Sequence, residues 1–142
     1  MAIEIRNAIQ ADLDEVRKDS IDISARNYPD WDLNGWAKTG LIDGEIVAVG
    51  GCVVYWEGVG EGWICFSEKI KSHKIEAMKF FKKITEDAFL ELKLWRMQVS
   101  ERVDFPQSVK MAEFLGFKCE GLMKSYLPDG TDAWLYALVK EQ

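Results

Sequence analysis

Residues 40–56, "GLIDGEIVAVGGCVVYW", narrow the fold more than any other stretch of the chain. Two apolar runs flank Asp43-Gly44. A two-residue turn needs positive φ at both central positions, which Asp and Gly tolerate and branched residues do not. The stretch therefore predicts a β-hairpin. Gly50-Gly51 inside the second arm predicts a bulge or a close backbone approach.

The flanking pattern extends this start. The first residues alternate and predict a strand over 2–6. "QADLDEVRKDSI" predicts a helix with Leu13, Val16 and Ile21 inward and its acids in the early turns, where the helix dipole favours them. "DISARNYPDWDLNGWAK" is irregular and aromatic, with one or two short helical pieces expected to carry Trp31 and Trp36. "EGVGEG" (57–62) predicts a turn and "WICFS" (63–67) a strand.

A long helix is expected over 73–92. Ile75, Met78, Phe81, Ala88, Phe89 and Leu92 recur at threes and fours, and Lys74, Lys79, Lys82, Lys83, Glu86 and Glu91 fill the other face. Ser72 is the expected N-cap. "WRMQVS" (95–100) predicts a strand, and "PQSVKMAEFLGF" a short helix opening at Pro106 and ending at Gly116 in the left-handed conformation. "FKCEGLMKSYL" and "DAWLYALVK" predict two strands joined at "PDGT". The order is β-α-(α)-β-β-β-α-β-α-β-β, an α/β chain with a mixed sheet.

No repeat, low-complexity tract or linker interrupts the 142 residues, so one domain over 1–142 is expected. No apolar run approaches the ~18 residues of a membrane span. The start is patterned and acidic, unlike a secretory signal. The net charge of −6 argues against general nucleic-acid binding, although Lys69, Lys71, His73 and Lys74 form a local basic patch. Cys52, Cys65 and Cys119 are odd in number and far apart, and predict reduced core thiols in a cytoplasmic setting. One histidine and no CxxC leave no metal site to expect.

Residues 110–139 carry Leu115-Gly116-Phe117, Glu120-Gly121, Asp129-Gly130 and Trp134-Leu135-Tyr136 in that order. With the element order, this set resembles the GCN5-related N-acetyltransferase (GNAT) superfamily. The resemblance implies a mixed central sheet of six to seven strands flanked by about four helices, with the fourth and fifth strands, "WICFS" and "WRMQVS", splayed apart. It implies acetyl-CoA as co-substrate, its arm in that V and its pyrophosphate on the loop before the long helix. The family's usual loop is Arg/Gln-x-x-Gly-x-Gly/Ala. Here the loop is "SEKIKSHK", without glycine. Phe66, Ser67, Lys69, Lys71, Ser72, His73 and Lys74 are the expected cofactor contacts, with side chains replacing a backbone cradle.

Many relatives carry an acid tyrosine four residues before the glycine of Leu-Gly-Phe; that position is Ala112 here. Tyr126 is the expected substitute acid. Glu61 is the position-matched base, with Glu57, Glu101 and Glu120 as alternatives. Tyr28, Trp31 and Trp36 are expected to cap the acceptor side. The glycine-poor loop, the tryptophan in the fourth strand and "DFP" before the short helix resemble GNAT-like proteins encoded by bacteriophages, which implies a host cytoplasm or virion setting. The implied activity is transfer of an acetyl group to an amine, on a small molecule or on a protein lysine or N-terminus. The chain could act as a homodimer. The alternative is a non-catalytic GNAT-fold binding or structural module, of a phage virion or acting on a host protein.

Overall fold

The structure is a computed structural model and describes residues 2–22, 33 and 35–140. The expected short helical pieces, with Tyr28 and Trp31, lie outside those residues. Seven strands form one sheet: β1 (Glu4–Asn7), β2 (Trp36–Ile42), β3 (Glu45–Trp56), β4 (Val59–Phe66), β5 (Arg96–Arg102), β6 (Lys118–Met123) and β7 (Ala133–Val139). Their order across the sheet is β1-β2-β3-β4-β5-β7-β6. The described helices are α1 (Gln10–Lys18), α2 (Lys74–Glu91) and α3 (Pro106–Phe114), and a 3-10 turn (Glu68–Ser72) precedes α2. None of them is long and apolar enough to cross a membrane.

The hairpin forms as expected. Asp43 and Gly44 take φ of 51° and 77°, and Ile42 pairs with Glu45. Two boundaries differ. β2 begins at Trp36, so Trp36–Lys38 are strand rather than irregular. The second turn is confined to Glu57-Gly58, because the ladder with β3 draws Val59–Gly62 into β4. Gly50-Gly51 is a close approach, not a bulge. The register runs through it unbroken, and a Cβ on Gly51 would lie 2.5 Å from the Trp36 carbonyl oxygen.

Each face of the sheet has its own cover. On one face, Leu13 and Val16 of α1 pack on Val49 and Cys65. On the other, α2 and α3 pack on Ala48, Cys52, Met97 and Val99 through Phe80, Phe81, Ile84, Phe89 and Ala112. The inward stripe of α2 is therefore rotated from the expected one. Ile75 is 69% exposed, while Phe80 is fully buried. The expected cap also moves. His73 is the N-cap residue of α2, and Ser72 instead donates its hydroxyl to the Lys69 carbonyl, closing the 3-10 turn.

No pair of cysteines is bridged. Cys52 and Cys65 are buried, but Cys119 is exposed, because it lies on the outermost strand. Burial pushes both inner thiols up to about 11, which disqualifies them as nucleophiles at neutral pH.

Candidate functional site

β4 and β5 are parallel neighbours joined through α2, and they part company early. Val59 pairs with Arg96, Gly60 with Met97 and Glu61 with Gln98, and the pairing stops there. Both strands continue, β4 to Phe66 and β5 to Arg102, leaving a V-shaped split.

The ladder decides which backbone groups line it. The Gly58 carbonyl accepts the Arg96 N–H on the β5 side, while the Ser67 N–H donates to Val47 on the β3 side. Alternation then turns the N–H and C=O of Ile64 toward the split. On β5, the Trp95 carbonyl accepts the Lys140 N–H beside β7, so Ser100 turns its backbone groups the other way, toward β4. The Ser100 hydroxyl is buried too, and has no hydrogen-bond partner among the described residues. A buried hydroxyl without a protein partner, beside two open strand edges, can hydrogen-bond a polar ligand laid along them.

The far end of the split is bounded by the segment after α1. Ile21 N–H donates to the Phe66 carbonyl at 3.0 Å, and Glu68 N–H to the Asp19 carbonyl at 2.7 Å. The Ser67 hydroxyl donates to Asp19 Oδ2 at 2.7 Å and accepts the Lys69 N–H at 3.2 Å, which makes it the cap of the 3-10 turn. Phe66 and Ser67 are thus buried at the root of the loop. Lys69 Nζ lies 3.5 Å from Glu45, and Lys71 Nζ 2.8 Å from Glu68, both as exposed pairs. His73 and Lys74 follow at the start of α2, whose first N–H groups have no partner within the helix.

The acidic candidates separate by face. Glu61 lies where the pairing ends, on the α1 face. Its Oε1 accepts the Tyr55 hydroxyl at 3.0 Å and Gln98 Nε2 at 3.3 Å. Burial first, then the neighbouring Glu61, pushes the Tyr55 phenol up to about 12, so it stays a donor. Tyr126 is past the end of β6, not on it, and is half exposed. Glu57 is exposed in the hairpin turn. Glu120 is taken by Arg96 at 2.7 Å. Trp36 is not beside Glu61. It packs on the α2 face and donates Nε1 to Glu91 at 3.3 Å. Glu101, on the β5 arm of the split, lies on the opposite face from Glu61 and is buried, at 8% exposure.

No protein-family profile and no curated protein matches this sequence. Solved structures do. A spermidine N-acetyltransferase SpeG chimera from Vibrio cholerae and hSSAT superposes with a TM-score of 0.79 at 12% identity, covering 98% of this chain and 96% of its own. A GNAT-family acetyltransferase from Bacillus anthracis gives 0.73 at 20% identity, covering 100% and 97%. The yncA protein from Salmonella typhimurium, solved with its cofactor acetyl-CoA, gives 0.77 at 12% identity, covering 100% and 96%. This chain has the GNAT fold. The seven-stranded mixed sheet and the parted β4–β5 pair are the features that the GNAT resemblance in residues 110–139 implied.

Proposed function

We propose that this chain is an acetyl-CoA-dependent N-acetyltransferase acting on an amine. The observation that carries the reading is the split itself. It offers open backbone groups at Ile64 and Ser100, the orphaned Ser100 hydroxyl, and a carboxylate at its apex. An extended, amide-bearing arm fits such edges as an added strand would.

Bound there, acetyl-CoA would supply an activated acetyl group. The chain's residues do the rest. Ile64 and Ser100 orient the arm. The first N–H groups of α2, with Lys69, Lys71, Ser72, His73 and Lys74, hold the phosphates. Without loop glycines the backbone cannot curl round them, so side chains carry more of the contact. The Lys69 and Lys71 ion pairs are exposed and therefore weak, and release their ammonium groups at little cost. Glu61 attracts a cationic amine and takes its proton, with Tyr55 and Gln98 fixing the carboxylate. Tyr126 is the substitute acid toward the departing thiolate in this reading. Holding the two reactants side by side supplies much of the acceleration.

The test is calorimetry with acetyl-CoA, followed by acetylation assays over a panel of polyamines, aminoglycosides and peptide N-termini. Binding and turnover support the reading. Absence of both decides for a non-catalytic module on the same fold. The narrower likeness to phage-encoded proteins belongs to this proposal and is tested separately, by genomic context.

A further inference from the structure

A run of side-chain hydrogen bonds crosses the sheet from Glu61 to its edge strand. Glu61 Oε1 accepts the Tyr55 hydroxyl at 3.0 Å and Gln98 Nε2 at 3.3 Å. Gln98 Oε1 in turn accepts Arg96 Nε at 3.4 Å and Nη2 at 3.3 Å. The Arg96 guanidinium takes both oxygens of Glu120, Nη2 on Oε1 at 2.7 Å and Nη1 on Oε2 at 3.0 Å. Tyr55 comes from β3, Glu61 from β4, Gln98 and Arg96 from β5, and Glu120 from β6. Register places them. Gln98 is paired with Glu61 at the last β4–β5 pairing, and Arg96, two residues earlier, shares its face. β7 lies between β5 and β6, and Glu120 meets Arg96 across it. Glu120 is the extra residue of a bulge, since Cys119 pairs with Tyr136 and Gly121 with Leu135.

We propose that Arg96 and Glu120 are positioning residues for Glu61, acting through Gln98. Donor and acceptor chemistry fixes the order. A guanidinium has only donors and a carboxylate only acceptors. The amide between them satisfies both in one orientation, with its oxygen toward Arg96 and its nitrogen toward Glu61. Without Arg96 the amide is free to turn over and set its oxygen against the carboxylate. The Arg96–Glu120 pair is the anchor, because two charge-assisted bonds in a fork hold the guanidinium plane. The contacts at Gln98 are longer than an ordinary N–H···O bond, so their value is in orientation rather than strength.

The arrangement also keeps charge available. Arg96 is matched by Glu120, and none of the ion pairs found among the described residues includes Glu61. Both donors to Glu61 are neutral and both use Oε1, and Oε2 accepts no hydrogen bond among the described residues. Neutral groups aim the carboxylate, and its second oxygen and its charge are left for a cationic amine. A direct Arg–Glu61 pair would hold the carboxylate as firmly and cancel that charge.

This inference rests on the acetyltransferase reading with Glu61 as base, and the experiment separates the two. Gln98→Leu, Arg96→Met and Glu120→Ala are each made in wild type and in Glu61→Gln. Steady-state kinetics with an amine that the wild type acetylates give kcat and KM, calorimetry gives the acetyl-CoA Kd, and thermal melting checks the fold. In the wild-type background Gln98→Leu and Arg96→Met should each lower kcat about 10-fold, and Glu120→Ala about threefold, with the acetyl-CoA Kd unchanged. In Glu61→Gln each should cost less than about twofold, because a residue that acts through Glu61 has nothing left to act on. Arg96→Met should likewise add nothing to Gln98→Leu. Equal losses in both backgrounds overturn the positioning role and reduce these residues to general support of the sheet. Unchanged rates in all three variants overturn it too. If Arg96→Met does not fold, Glu120→Ala carries the same comparison from an exposed position. A full rate in Glu61→Gln overturns this inference and leaves the acetyltransferase reading standing. A wild-type chain that binds no acetyl-CoA and acetylates nothing overturns both.

Discussion

The Tyr55 hydroxyl donates to Glu61 Oε1 at 3.0 Å, linking the outer end of β3 to the residue at which β4 and β5 stop pairing. Gln98 reaches the same oxygen from β5 at 3.3 Å. The carboxylate is thereby held at the apex of the split from β3 on one side and β5 on the other. Glu61→Gln should lower acetylation at neutral pH by about 10²-fold or more if it is the base. Its affinity for acetyl-CoA should not change. Calorimetry beside steady-state rates checks both parts. A full rate in the variant would transfer the proton to water and leave positioning as the protein's contribution.

Lys69 and Lys71 are the cations of the glycine-free loop. Reversing both to glutamate should weaken CoA binding by roughly 1–3 kcal/mol for each charge-assisted contact that is lost. Raised salt should weaken wild-type binding in the same direction. Titrations at two ionic strengths check it. Equal affinity in a well-folded double variant would exclude a side-chain clamp.

Glu101 also has a signature in stability. Burial raises its folded-state pKa to about 7, above the ordinary glutamate value of 4.5. The folded chain therefore binds more protons than the unfolded chain between those values. The stability this contributes is full below the unfolded value and is lost as pH rises through about 7. A shift of this size corresponds to roughly 3 kcal/mol. Glu101→Gln stays neutral and escapes the loss. Its melting temperature should pull ahead of wild type between pH 5 and pH 8.5, and a constant gap would contradict the burial argument.

Gly58 secures the start of β5. Its carbonyl accepts the N–H groups of Trp95 and Arg96 at 2.8 and 3.0 Å, and its φ is +82°. A Cβ there would run into the Trp95 ring. Gly58→Ala combines a strained φ with a ring clash and should cost about 2–4 kcal/mol. Because it displaces the first pairing of β4 with β5, acetyl-CoA affinity should fall along with the melting temperature. A substitution that leaves both unchanged would show that the hairpin tip adjusts independently of the split.

What was legible in the sequence was local. Asp43-Gly44, Pro106, Gly116 and the PDGT turn each act through dihedral preference over a few residues, and each stands where the sequence placed it. The ordered set over residues 110–139 carried the fold because it records several such turns and caps at once. Tertiary structure decided the rest. Apolar residues occur on both sides of α2, so periodicity alone favoured Ile75 and Met78. Packing on β2 and β3 chose Phe80 and Ile84. Ser72 looked like the cap of α2, but the 3-10 turn took its hydroxyl and His73 became the N-cap residue, while Ser67 caps the 3-10 turn itself. The end of β4–β5 pairing at Gln98, the orphaned Ser100 hydroxyl and the burial of Glu101 leave no trace in residue order. They arise from register and packing between segments far apart in the chain, and short-range preference does not encode those distances.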